Sequence, residues 1–153
     1  MSAASGTGVL VSIFCRDHRA LAAFYAEAFG FGPVDAVESP IFTALDAGRF
    51  VLGFHAAEEA YDLLGLADHR DRRDEPGQAG NRVHITFDVG SFDDVDEAAP
   101  AIAAAGATLV QGPFTTYYDA RQVVFTDPEG NVFRISSSQP GVSDLGTSEA
   151  GAR

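Results

Sequence analysis

Residues able to act on a small molecule gather in two short alternating runs. His84 opens His84-Ile85-Thr86-Phe87-Asp88-Val89, and Arg134 sits inside Val132-Phe133-Arg134-Ile135-Ser136. Successive side chains of a strand point to opposite faces. His84, Thr86 and Asp88 therefore share one face, against Ile85, Phe87 and Val89 on the other; Val132, Arg134 and Ser136 likewise oppose Phe133 and Ile135. An imidazole with an ordinary pKa of about 6.5 suits proton abstraction at neutral pH, which makes His84 the candidate catalytic base. Its other reading is a hydrogen-bonding residue that meets Thr86, Asp88 or a ligand. A guanidinium stays charged and presents a planar fork, so Arg134 either clamps a carboxylate or phosphate or pairs with Asp88 on a neighbouring strand.

Strands and helices must position these groups, and they come in two similar sets. Leu10-Val11-Ser12-Ile13-Phe14-Cys15 alternates as the His84 run does, and each run leads to a helix start, at Asp17 and at Ser91. If Val9, Val11 and Ile13 pack under the first helix, then Leu10, Ser12 and Phe14 look the other way. Asp17 is the N-cap of a helix whose core stripe is Leu21, Phe24, Tyr25, Ala28 and Phe29 and which Gly30 ends. Ser91-Phe92-Asp93-Asp94 reads as a capping box ahead of Val95, Ala98, Ala99 and Ile102, with Gly106 as the stop. Pro100 removes the bond to the Asp96 carbonyl, and a kink or break is expected there. Strands are expected over 31–37, 41–45 and 49–55, then over 108–111, 121–126 and 132–136. Each half therefore reads βαβββ, an α+β unit with a helix on one sheet face. A short helix is expected over 57–67, and the tail from Gln139 lacks periodicity.

Between the last two strands lies Val124-Phe125-Thr126-Asp127-Pro128-Glu129-Gly130-Asn131-Val132-Phe133. Pro128 presets its own φ, and Gly130 and Asn131 tolerate the positive φ of a reversal, so a hairpin is expected. Phe24-Tyr25-Ala26-Glu27-Ala28-Phe29-Gly30-Phe31, the His84 run and this turn, in that order along the chain, resemble the glyoxalase/bleomycin-resistance/dioxygenase superfamily, also called vicinal oxygen chelate proteins. The resemblance implies one glyoxalase-like domain over 8–138 (modules 8–56 and 81–138, linker 57–80), eight strands curled into a cleft, and a homodimer; 139–153 remain as the flexible tail that their composition suggests.

Metal-dependent members hold a divalent ion through His or Gln and Glu on the first and last strand of each half. Carried over by motif, those positions are Leu10, Gly53, His84 and Arg134, with His55 the alternative to Gly53 two residues along the same face. Even with His55, two imidazoles beside a leucine and a guanidinium fall short of the roughly three protein ligands of a catalytic metal centre. Two unit charges about 4 Å apart repel by about 4 kcal/mol at an effective dielectric of about 20, and a dication doubles that. Neither a metal ligand nor a cofactor is therefore expected. The resemblance also brings the Gly112-Pro113-Phe114-Thr115-Thr116-Tyr117-Tyr118 segment beside the ligand. The expected binding set is Phe14, Ser12, His55, His84, Asp88, Tyr117, Tyr118 and Arg134, with Phe114 at the rim and Asp88 and Asp119 able to favour a cationic group.

Composition bounds the rest. With 153 residues, 46% of them hydrophobic, the chain holds one ordinary core or two small ones. A net charge of −12, with 22 acids against 10 Lys and Arg, argues against a nucleic-acid partner. The basic cluster His69-Arg70-Asp71-Arg72-Arg73-Asp74 is interleaved with acids and reads as a solvated linker. No apolar run approaches a membrane span and the first residues lack a basic secretion start, so the cytoplasm is the expected compartment. Cys15, the single cysteine, excludes an internal disulfide and reads as a buried, inert thiol. The expected function is metal-free binding of a small aromatic or cationic molecule, in the manner of antibiotic-sequestering members. The competing expectations are a lyase, isomerase or dioxygenase that uses His84, and an interaction module with a decayed cleft.

Overall fold

A computed structural model of the chain describes residues 10–63, 84–117 and 119–138. Val9, the His69-to-Asp74 cluster, Tyr118 and the tail from Gln139 lie outside the described residues. The chain divides into two compact units, Met1–Gln78 and Ala79–Arg153.

In the first unit, strand β1 (Leu10–Cys15) leads into helix α1 (His18–Phe29), followed by β2 (Gly32–Pro33), a 3-10 turn (Asp35–Val37), β3 (Phe42–Asp46), β4 (Val51–Ala56) and helix α2 (Ala57–Leu63). In the second, β5 (Ile85–Gly90) leads into helix α3 (Phe92–Ala105) and then β6 (Thr108–Thr115), β7 (Arg121–Thr126) and β8 (Val132–Ser137). The sheets run β1-β4-β3-β2 and β5-β8-β7-β6. In each, the first and last strands pair in parallel and the others antiparallel. The α+β class and the doubled βαβββ plan are thus as the sequence implies.

Helix α1 forms where it does because Asp17 Oδ1 accepts from Ala20 N–H at 2.9 Å, and it ends at Gly30, whose N–H bonds the Ala26 carbonyl. Its stripe buries Leu21, Phe24 and Tyr25 over a sheet face that buries Leu45, Leu52 and Phe54. The Tyr25 and Phe54 rings meet at 5.4 Å, and each such side chain contributes roughly 1.5–3 kcal/mol by leaving water. Cys15 is buried as expected, its thiol donating to the His55 carbonyl.

Helix α3 starts on the expected capping box. Ser91 Oγ accepts from Asp94 N–H, and the Asp94 carboxylate accepts from Ser91 N–H and its hydroxyl. Those bonds, the hydroxyl's first, hold the Asp94 carboxyl below its ordinary pKa. Val95 and Ile102 are buried toward Phe87, Val123, Phe125, Phe133 and Ile135.

The structure corrects three expectations. Pro100 does not break α3, which continues to Ala105; Asp96 and Pro100 are both exposed, so the helical turn that loses its bond lies on the solvent side. The strand expected over 31–37 shrinks to Gly32–Pro33, because Pro33 brings no N–H to a ladder and the chain turns at once into the 3-10 segment. In the hairpin Gly130 has φ 86°, but Asn131 is not in the positive-φ region. Asn131 serves through its side chain, whose Nδ2 donates to both oxygens of Asp127. The helix expected over 57–67 is seen as α2, and 64–67 lie outside the described residues.

Candidate functional site

In the second unit the sheet face turned away from α3 carries Thr86 and Asp88 on β5, Val132, Arg134 and Ser136 on β8, and Gln122 and Val124 on β7. Pairing sets Thr86 and Val124 on either side of Arg134 and sets Asp88 and Gln122 on either side of Ser136. Arg134 Nε donates to Thr86 Oγ1 at 2.7 Å and Nη1 donates to Gln122 Oε1 at 3.3 Å. The expected alternative, an ion pair with Asp88, is not what forms. Asp88 Oδ1 instead accepts from Gly90 N–H at 3.0 Å and from the Ser138 hydroxyl at 2.6 Å. The turn at the end of β5 and the Ser138 hydroxyl thus both engage Oδ1 of the carboxylate. His84, just before β5, is exposed and makes no hydrogen bond with a described residue.

In the first unit the corresponding face carries Leu10, Ser12 and Phe14 on β1, Val51, Gly53 and His55 on β4, and Phe42 and Ala44 on β3. The register sets Ser12 beside Gly53, and Phe14 and Phe42 on either side of His55. The Phe42 ring lies 4.4 Å from the His55 ring, centroid to centroid, and that of Phe14 lies 6.3 Å from it. Phe42 also leans over Gly53: a Cβ there would stand 2.6 Å from its Cζ and 2.7 Å from its Cε2, with Ser12 Oγ at 3.1 Å. The result is an aromatic trio, Phe14, Phe42 and His55, above a glycine floor. Alternation along 41–45 sets Phe42 on this face, yet no sequence pattern shows its ring lying on Gly53.

His55 is half-buried and its Nδ1 is buried without a hydrogen-bond partner. Burial first, and then the nearby His18, hold its pKa below the ordinary histidine value. The unfolded chain therefore takes up this proton at higher pH than the folded one. The stabilisation is complete above the unfolded pKa of about 6.5 and is lost as pH falls toward the folded value. Urea midpoints measured at about pH 7.5 and about pH 5.5 should fall on acidification in the wild type and fall less in His55→Phe. Equal drops in the two proteins would refute this assignment.

His18 was not singled out by any sequence pattern, and its role is structural. It is buried at the start of α1, where Nδ1 meets Thr43 Oγ1 at 2.9 Å and Nε2 meets the Pro40 carbonyl at 3.0 Å, fastening the helix to β3. Of the other expected binding residues, Ser12 is exposed, Phe14 half-buried and Tyr117 is 99% exposed in the turn after β6. Phe114 is half-buried opposite Gln122, Asp119 is exposed, with φ 61°, and Tyr118 lies outside the described residues. Among the described residues no three His, Cys, Asp or Glu side chains gather as a metal would require, and no helix is long and apolar enough to cross a membrane.

Comparison with known proteins adds the following. The family model for the Glyoxalase/Bleomycin resistance protein/Dioxygenase superfamily matches residues 9–135. A solved glyoxalase/bleomycin resistance protein/dioxygenase family enzyme from Burkholderia phytofirmans PsJN is 42% identical, over 85% of this chain and 97% of that one, with a TM-score of 0.77. A glyoxalase-related enzyme from Fulvimarina pelagi is 20% identical over 85% and 86% of the two chains, with a TM-score of 0.69. A glyoxalase/bleomycin resistance protein/dioxygenase from Nocardioides is 17% identical over 92% and 88%, with a TM-score of 0.70. The last two likenesses show the fold alone. Comparison with curated proteins gave no significant match.

Proposed function

The chain belongs to the Glyoxalase/Bleomycin resistance protein/Dioxygenase superfamily, and from that premise we propose that it binds a small aromatic or amphipathic molecule without a metal ion. The observation that carries this reading is the seat of Phe42. A metal-ligating side chain at position 53 would have to displace its ring, whose edge stands 2.6 Å from where the first carbon would be. The other three carried-over positions agree. Leu10 has no donor atom, Arg134 brings a fixed positive charge, and His84 alone is a ligand type. The residues present do not fit a divalent centre of the family's kind.

The same features suit a binding face. Phe14, Phe42 and His55 offer rings for stacking and area burial, which planar ligands exploit. Sequestration needs only such a preformed surface and no bond-making group. Protein purified without chelator should carry well under one equivalent of iron, zinc, nickel or manganese, and calorimetric titration with a panel of aromatic and cationic aromatic drugs should give saturable heat. Stoichiometric metal, or uniformly flat titrations, would overturn the reading.

A second reading is favoured by the exposed imidazole of His84, which engages no side chain among the described residues, and by the 42% identical relative's being called an enzyme. On that reading His84 acts as the base of a metal-free lyase, isomerase or dioxygenase. Turnover that disappears in His84→Ala would establish it in place of passive binding.

A further inference from the structure

We propose that Arg134 is a preorganised receptor for the oxyanion of a small organic acid, with Thr86 and Gln122 as its positioning residues. The inference rests on the small-molecule reading above and names the ligand class. A guanidinium has five N–H donors. One of Arg134's goes to Thr86 and one to Gln122, and the remaining three meet no acceptor among the described residues. The two acceptors stand on β5 and β7, the strands on either side of β8. Both are neutral oxygens, so they fix the plane of the fork without cancelling its charge.

That arrangement is unexpected in this chain, where acids outnumber Lys and Arg by 22 to 10. Arg121 shows the ordinary outcome, its Nε and Nη2 clamped by the two oxygens of Asp96 at 2.9 and 3.2 Å. Among the described residues Arg134 has no such partner, and Asp88, an acid on its own sheet face, is bonded to Gly90 and Ser138. A carboxylate from outside the chain would supply the missing fork-to-fork pair. The surroundings select the rest of the molecule. Val124 lies directly across from Arg134, Val132 two residues before it, and both are half-buried. Hydrocarbon beside a fixed cation suits an aromatic or aliphatic acid better than a bare ion.

The test is calorimetric titration of the full chain with 2-naphthoate, with its uncharged isostere 2-naphthamide, and with inorganic phosphate. Naphthoate is expected to bind at least about tenfold more tightly than naphthamide, since charge-assisted bonds are roughly twice as strong as neutral ones. Phosphate, which has no hydrocarbon to bury, should bind at least about tenfold more weakly than naphthoate. In Arg134→Gln the preference for naphthoate should vanish while the naphthamide affinity stays. Arg134→Lys keeps the charge without the fork and should retain only part of it. Thr86→Val should also reduce the preference, as a merely structural threonine would not. Equal binding of naphthoate and naphthamide would overturn the anion site and leave the small-molecule reading standing; absence of binding by both would overturn the two together. A preference that survives in Arg134→Gln would place the anion elsewhere, and phosphate binding as tightly as naphthoate would remove the organic acid. If circular dichroism shows Arg134→Gln to be unfolded, Arg134→Lys and Thr86→Val decide.

Discussion

Replacing Asp127 by alanine should lower stability by about 3 kcal/mol, because three half-buried donors lose their acceptor, each at the low end of the roughly 1–3 kcal/mol that a fully buried one costs. Asp127 is only 3% exposed. Its Oδ1 accepts from Glu129 N–H and Asn131 N–H, both at 2.9 Å, and from Asn131 Nδ2 at 3.1 Å, while Oδ2 takes Asn131 Nδ2 at 2.9 Å. Backbone bonds close the same turn, Gly130 N–H to the Asp127 carbonyl and Asp127 N–H to the Asn131 carbonyl. Alanine removes every side-chain acceptor at once and leaves two backbone amides and an amide side chain without them. At 2–4 °C per kcal/mol for a chain of this size, the melting temperature should fall by on the order of 10 °C. Asp127→Asn keeps a carbonyl oxygen for some of these donors and should lose less. A melting temperature within about two degrees of wild type in Asp127→Ala would mean that water replaces the carboxylate, contrary to its burial.

The turn matters beyond its own stability because it sets the register of β7 against β8, and through it the place of Arg134. This hairpin was legible in the sequence because Pro128, Gly130 and Asn131 are turn residues by type, although Asn131 acts through its side chain on Asp127 and not through a positive φ. Helices α1 and α3 were legible for a local cause: Asp17, Ser91 and Asp94 cap by contacts within four residues, and the core stripes follow from helical spacing. The alternation of β1, β5 and β8 put Ser12, Phe14, Asp88 and Arg134 on the correct faces for a similar reason. Two outcomes depended on competition between distant or equivalent partners, which local pattern does not carry. Asp88 had two routes to a hydrogen bond, and the nearer backbone amide and Ser138 prevailed over Arg134. Phe42 had a face fixed by alternation but a ring direction fixed by the missing Cβ of Gly53, which no local pattern encodes. β6 was expected to end at Gln111. It runs on to Thr115 through two register irregularities, since Gly112-Pro113 interrupts the ladder without ending it.

That interruption leads to the second large expected effect, in Gly112→Ala. Gly112 has φ 106°, where a side chain is strained whatever room it has. Room is also lacking: a Cβ would stand 2.7 Å from the Gln122 carbonyl oxygen and 3.2 Å from both Val123 Cα and the Phe114 ring. Two of those three atoms are backbone of β7 and cannot swing aside as a side chain would. Strain and overpacking each cost about 1–3 kcal/mol, so a loss of about 3 kcal/mol is expected, read as a lower urea midpoint. The same push has a functional reading, because the strand segment displaced is the one that carries Gln122 to the Nη1 of Arg134. The folded variant should therefore distinguish naphthoate from naphthamide less well than wild type, although no atom of position 112 touches the guanidinium. If Gly112→Ala lost stability and kept the full preference, Gln122 would be a bystander and Thr86 alone would orient the fork. If it kept its stability, β6 would be free to move off β7, and the close approach at Gly112 would not constrain the sheet.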